Sequence, residues 1–159
     1  MENDKEKFKI IEKLNARIQA LSQHEELNSD EIPMTLQMKA YLYDFSLEDK
    51  SITIAFPVQK KQLNPNKSMV GGLIANAADM TCGLLMFALD GSSIAPTITM
   101  TTNFLNPIFE NDTLLMTATI ETWGKRIVNM SARGISKENG KSIVTATGSF
   151  ISPESFKKH

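Results

Sequence analysis

Histidine is scarce in this chain. Only His24 and His159 carry an imidazole among 159 residues, and the second is the last residue. A Ser-His-Asp or Cys-His arrangement would have to recruit His24 from a polar stretch. Cysteine is scarcer still: Cys82 stands alone, which excludes an intramolecular disulfide. With so few imidazoles and thiols, no clustered zinc ligand set appears in the sequence. Charge of either sign is not in excess. A net charge of −1 gives no electrostatic reason to expect a nucleic acid or a membrane surface as partner. No Gly-x-Gly-x-x-Gly or phosphate-loop pattern occurs. The charged start, Met1 to Lys7, lacks the apolar core of a signal peptide, and the longest apolar run reads as too short and too interrupted to span a bilayer. These absences predict a cytoplasmic protein whose chemistry runs on carboxylate, amide, hydroxyl and backbone groups.

One regional scarcity says more. From Ser68 to Phe109 the only charged side chains are Asp79 and Asp90. Asp90 opens Asp90-Gly91-Ser92-Ser93, which reads as a solvated turn. Asp79 lies inside Gly71-Gly72-Leu73-Ile74-Ala75-Asn76-Ala77-Ala78-Asp79-Met80-Thr81-Cys82-Gly83, a run apolar nearly all round that predicts a buried helix over 71–89. A carboxylate on such a helix loses hydration and needs a partner or a task.

Length and composition fit one domain with a real core. Residues 4–22 read as an amphipathic helix, with Phe8, Ile11, Leu14, Ile18 and Leu21 at spacings of three and four. Such a helix packs on a sheet, or serves as a lid or an oligomer contact. His24 to Pro33 is a polar connector, so 1–33 forms a helix with its connector and 34–159 the main domain. Strands are expected over 36–46 and 51–58, a loop over Lys60–Met69, and a β-branched strand from Pro96 to Pro107. A meander follows, in which Leu114, Met116, Ala118 and Ile120 share one face, as do Val128, Met130 and Ala132, and Val144, Ala146, Gly148 and Phe150. The class is α+β. An apolar helix with no polar face must be covered by antiparallel strands, which a single curved sheet wrapped around a central helix achieves.

That order and the residues near the apolar helix resemble the hotdog-fold acyl-CoA thioesterases of the phenylacetate-degradation (PaaI-like) type, over roughly residues 34–152. The family pattern is an asparagine, a loop, His-Gly-Gly, seven residues to an acid, then a strand opening with Ser or Thr. Here Asn64 precedes Val70-Gly71-Gly72, Asp79 falls seven after Gly72, and Thr97 opens the next strand. Asn103-Phe104-Leu105-Asn106-Pro107 looks like the family's strand end, Trp123-Gly124-Lys125-Arg126 like its basic hairpin, and Ala146-Thr147-Gly148-Ser149-Phe150 like its final strand. One position departs: Val70 stands where the family has histidine.

The resemblance implies hydrolysis of acyl-CoA to a carboxylic acid and a free thiol, without metal or bound cofactor, coenzyme A entering only as part of the substrate. It implies that the Gly71 amide binds the thioester carbonyl, with Asn64 as a second donor, while Asp79 orients and deprotonates water held beside Thr97. Gly72, Val70 and Asn76 would line the substrate site, and Lys125 and Arg126 would meet the CoA phosphates. Each has a plain alternative: a helix start for the glycines, a turn for Asn64, a β-favouring residue for Thr97, and a solvated turn for Lys125 and Arg126. Cys82 reads as a small buried residue. Val70 in the histidine position keeps a second reading open, a non-catalytic protein that binds or senses acyl-CoA. A hydratase acting on enoyl-CoA would need an Asp/His pair that the sequence does not offer. Gly71 and Asp79 are too far apart on one helix to share one substrate. The expectation is therefore a homodimer, or two such dimers in a homotetramer.

Overall fold

A computed structural model describes residues 2–22, 37–91 and 96–156. The expected connector from His24 to Pro33 and the two histidines lie outside the described residues, as does part of the turn after Asp90. The described chain runs α1 (Glu2–Ser22), β1 (Tyr41–Ser46), β2 (Ser51–Pro57), a short 3-10 turn (Lys60–Gln62), α2 (Gly71–Asp90), β3 (Thr97–Phe104), β4 (Thr113–Trp123), β5 (Ile127–Ser136) and β6 (Ser142–Ile151), and ends in a 3-10 turn, Pro153–Phe156. The six strands form one antiparallel sheet in the order β1-β2-β4-β5-β6-β3. This is the sheet wrapped around a central helix that the pattern predicts.

Strict alternation builds the inner face. In β5, Val128, Met130, Ala132 and Gly134 are buried, while Ile127, Asn129 and Arg133 are exposed. Register then places Ala118, Ala132 and Ala146 side by side across β4, β5 and β6. Three small residues in one row keep the floor of the sheet low. Against that inner face α2 buries Ile74, Ala77, Ala78, Thr81, Cys82, Leu84, Leu85 and Met86, in contact with β2 through β6. Gly91 ends the helix in the left-handed region at φ 73°, its N–H bonded to the Phe87 carbonyl at 2.8 Å, a cap that glycine makes without steric cost.

Several expectations need correction. The first strand does not begin at 36: Gln37 is helical, Lys39 takes a positive φ, and β1 starts at Tyr41. The strand expected to reach Pro107 stops at Phe104. The N-terminal helix meets the sheet at its edge strand β1 and also packs on the central helix. It packs against α2 and β1 through Leu14 and Ile18, with Arg17 set over the Phe87 ring at 5.7 Å. Burial of Leu14 and Ile18 stabilises this docking by about 1.5–3 kcal/mol each. Phe8, counted in the apolar stripe, is 62% exposed, because the stripe continues past the end of its contact with α2. Finally, α2 is in fact long and apolar enough to cross a bilayer, at 20 residues and a mean hydropathy of 1.5. Its buried side faces the sheet, which accounts for the same composition in a core helix.

Candidate active site

The site is built where α2 begins. Val70 caps the helix with extended backbone and no side-chain bond, and its carbonyl accepts from Leu73 N and Ile74 N. The Gly71 and Gly72 amides therefore stand in the first turn, where no intrahelical carbonyl can reach them and the helix dipole favours negative charge. Val70 itself is 39% exposed and its N–H is held by the Gln62 carbonyl at 2.9 Å. Gly71 opens on a cleft of about 300 Å³ lined by Asn64, Ser68, Ile74, Phe104 and Asn106 among others. A Cβ added at Gly71 would stand 3.3 Å from the Phe104 ring, so the close approach of that ring depends on glycine.

Asn64 lies in the cleft but is also the hinge of its own loop. Its Oδ1 accepts from Asn66 N at 2.9 Å and Ser68 N at 3.2 Å, and its Nδ2 donates to Ser68 Oγ at 3.0 Å. This is an Asx-type turn that fixes the segment ahead of Gly71. The turn alternative for Asn64 is thus observed, without removing the residue from the cleft.

Asp79 sits two turns further along α2. The expectation of a carboxylate sealed inside a covered helix is corrected. Within one chain α2 leaves a stripe uncovered by the sheet, and Gly72, Asn76, Asp79 and Gly83 lie on it, none of them fully buried. The most buried carboxylate among the described residues is instead Asp112, 8% exposed, which accepts from Thr113 N, Glu138 N and Ser136 Oγ. Asp112 pins the start of β4 to the β5–β6 turn, and every one of these contacts is structural. Asp79 has one side-chain partner of note: Thr97 Oγ1 donates to Asp79 Oδ1 at 2.6 Å. The family resemblance implied that Thr97 would stand beside Asp79, and the fold brings them together because β3 returns alongside α2 with Thr97 at the Asp79 end.

Phe104, at the other end of β3, marks the Gly71 end. The predicted residues therefore fall into two groups in one chain. Gly71, Gly72, Val70 and Asn64 gather at the start of α2. Asp79 and Thr97 gather at the start of β3, where Ile151 N bonds to the Pro96 carbonyl and Ser152 N to the Arg126 carbonyl, both at 2.9 Å. The exposed Lys125 and Arg126 hairpin thus belongs to the Asp79 end. Asn76 lies between the groups on the same stripe. Sequence reasoning missed Phe104 and Ser68 as cleft residues; the Asn-Phe-Leu-Asn-Pro segment was the available signal for the first.

Beside Asp79, burial and then the Asp79 charge push the Cys82 thiol up from 9.0 to about 12, which leaves it un-ionised and inert at neutral pH. A larger concavity of about 670 Å³ lies on the outer face of the sheet among Thr117, Ser131, Arg133 and Thr145. It holds no carboxylate and no helix start, so it lacks the groups that make the α2 region chemically interesting. Among the described residues no three His, Cys, Asp or Glu side chains come together as metal ligands.

Residues 66–143 match the family model of the thioesterase superfamily. No curated protein matches the chain. Similar solved structures include a phenylacetic acid degradation-related protein from Ralstonia eutropha JMP134, 24% identical with a TM-score of 0.65, covering 72% of this chain and 86% of that one. The E. coli PaaI protein from the phenylacetic acid degradation operon is 18% identical with a TM-score of 0.65, over 87% of this chain and 95% of its own. A thioesterase protein from Streptococcus pneumoniae TIGR4, solved with coenzyme A, is 20% identical with a TM-score of 0.63, over 70% of this chain and 86% of its own. The fold is the hotdog fold of PaaI-like thioesterases, and the segment from the loop before Gly71 to the start of β6 carries the superfamily's pattern.

Proposed function

We propose that this hotdog-fold, PaaI-like chain hydrolyses acyl-CoA thioesters in sites shared between two copies of itself. The observation that carries the reading is the Thr97–Asp79 hydrogen bond, which orients a carboxylate on the uncovered stripe of a helix whose first amides are free of helical partners. The relatives supply the substrate class: the S. pneumoniae protein, described as a hypothetical thioesterase, was solved with coenzyme A.

In this reading Thr97 donates a hydrogen bond to Asp79 Oδ1 and keeps oxygen lone pairs with which to accept from a water. Asp79 takes a proton from that water as its oxygen attacks the thioester carbon. The Gly71 N–H of the second copy receives the developing oxyanion at the positive end of its helix. When the intermediate collapses, the carbon–sulfur bond breaks and the proton on Asp79 passes to the departing thiolate. The products are a carboxylic acid and free CoA, and Asp79 is restored. Lys125 and Arg126, exposed at the Asp79 end, would meet the CoA phosphates.

Two copies are needed because Gly71 and Asp79 are eight residues apart on one helix, about 12 Å along its axis. The fold offers a means of pairing. β3 is an edge strand of eight residues without a charge, and Ile98 and Phe104 are about half exposed on it. Such an edge is a template for a second strand.

The test is thiol release across short, long and aromatic acyl-CoAs, beside a binding assay. Asp79→Asn should preserve binding and lower turnover by about two orders of magnitude or more. Equal turnover in both proteins would remove Asp79 from the mechanism. Val70 in the histidine position favours a second reading, a non-catalytic acyl-CoA binder. Binding without any thiol release from the native chain would select it.

A further inference from the structure

The loop that leads into Gly71 obeys its turn chemistry at every telling position but one. Leu63 bridges to Met69, Asn64 N bonds to the Ser68 carbonyl at 2.8 Å, and Lys67 N bonds to the Asn64 carbonyl at 2.9 Å. This is a hairpin loop closed by a β-turn over residues 64–67. Asn64 and Pro65 are the residue types that such a turn favours at its first two positions. The residue that closes the turn in this kind of hairpin takes the left-handed region and is by preference glycine. Here it is Lys67, at φ 62°. Positive φ alone does not mark a site, since Lys39, Lys50 and Asn111 share it. Lys67 differs in where it stands. It is exposed, next to Ser68 and on the same loop as Asn64, both of which line the Gly71 cleft.

The charge on that loop has one sign. From Ser51 to Ala78 the only charged side chains are Lys60, Lys61 and Lys67, all exposed. Lys61 donates to Gln37 Oε1 at 3.2 Å, and no ion pair is found for the three among the described residues. Unpaired ammonium groups beside a cleft attract an anion. Distance selects which one. Lys67 and Gly71 are four residues apart, at most about 14 Å along the backbone, and the pantetheine arm of CoA has about as many bonds between its sulfur and its first phosphate as four residues have in their backbone.

We infer that Lys67 binds a phosphate of the coenzyme A whose thioester carbonyl meets the Gly71 amide of the same chain. The inference rests on the reading of this chain as an acyl-CoA hydrolase with Gly71 at the carbonyl. The ammonium donates to a phosphate oxygen, a charge-assisted contact at an exposed position. Lys125 and Arg126 would approach from the other copy, so Lys67 adds a cation from a separate element. Lysine at a positive φ then has a reason. Glycine or asparagine would suit the turn better, and neither carries a charge.

The experiment uses the full chain with Lys67→Asn, which suits the backbone and removes the charge. One acyl group is presented on CoA and, separately, on pantetheine, which has no phosphate. KM for the acyl-CoA should rise about three- to tenfold, the scale of one exposed charge-assisted contact, with kcat unchanged. KM for the acyl-pantetheine should not move. Lys67→Arg should keep the wild-type KM. Lys50→Asn, at a positive-φ lysine on the opposite end of β2 from this loop, should match wild type on both substrates. An acyl-CoA KM that stays at the wild-type value in Lys67→Asn, or that rises equally on both substrates, overturns the Lys67 contact and leaves hydrolysis standing. If the native chain releases no thiol, hydrolysis falls and the binding of CoA itself decides. Weaker CoA binding by Lys67→Asn with pantetheine binding unaltered supports the contact; equal binding, or no binding by the native chain, overturns it.

Discussion

Two aspartates and a cysteine show how local environment decides a residue's task. Asp112 is the more deeply buried carboxylate, but its oxygens are used up by two backbone amides and a serine hydroxyl. Asp79 has less burial, and among the described residues a threonine hydroxyl donates to it and orients it. Three residues on, Cys82 is 1% exposed and its thiol is raised to about 12, first by desolvation and then by Asp79. The neutral thiol is favoured in the folded chain. Its contribution to stability is therefore present below about pH 9 and is lost as pH rises from 9 toward 12. Accordingly, Cys82 should resist maleimide or disulfide reagents at pH 8 in the native protein and react promptly in urea. Asp79→Asn removes only the smaller cause, so native Cys82 should stay protected in that variant. Rapid labelling of the folded wild type would contradict the placement of Cys82 against the sheet.

The elements divide labour by face. The buried side of α2 holds the sheet, and its uncovered stripe presents Gly72, Asn76 and Asp79. Close packing beneath the helix depends on small residues in the strands. Gly134 is the most constrained: a Cβ there would lie 2.7 Å from Val144 Cγ1 and 2.9 Å from Leu114 Cδ1. Replacing glycine by alanine in a strand lowers the entropy of the unfolded chain, worth about 0.4–1 kcal/mol in favour of folding. Overpacking costs about 1–3 kcal/mol, and Val144, stiff at χ1, cannot swing away. The second effect wins. Gly134→Ala should lower the urea midpoint with the m-value unchanged. A rise in the midpoint would mean that β4, β5 and β6 can shift apart at no cost.

At the scale of the molecule, one chain holds the two groups of candidate site residues, Asp79 with Thr97 and Gly71 with Phe104, at opposite ends of β3. The arrangement makes sense if each half is completed by another copy, and symmetry then yields two equal sites per dimer. Subunit mixing tests this directly. An Asp79→Asn chain and a chain disabled at Gly71, for instance Gly71→Val, should each be nearly inactive alone. After exchange of subunits, a mixed dimer carries one site with both residues intact and one with neither. Activity should recover to about a quarter of wild type if half the dimers are mixed and half of their sites work. Mixed dimers that form and stay inactive would show that each chain acts on its own.

The sequence by itself determined the sheet-and-helix order, the six strands and the apolar central helix, while the nearness of Thr97 to Asp79 came only through the family resemblance. Each depends on local signals: alternation along strands, an uninterrupted apolar run, and a short motif whose spacing survives in any fold that contains it. It misjudged what depends on distant neighbours. The docking of α1 on α2 and β1, the depth of Asp79 and the structural role of Asp112 follow from which surfaces meet, and periodicity does not encode that. The division of the site into two ends was legible only as helix arithmetic on Gly71 and Asp79. The tertiary structure decided that β3 spans both ends and that Asn76 stands between them, because these follow from the strand's crossing of the helix and from no run of residues.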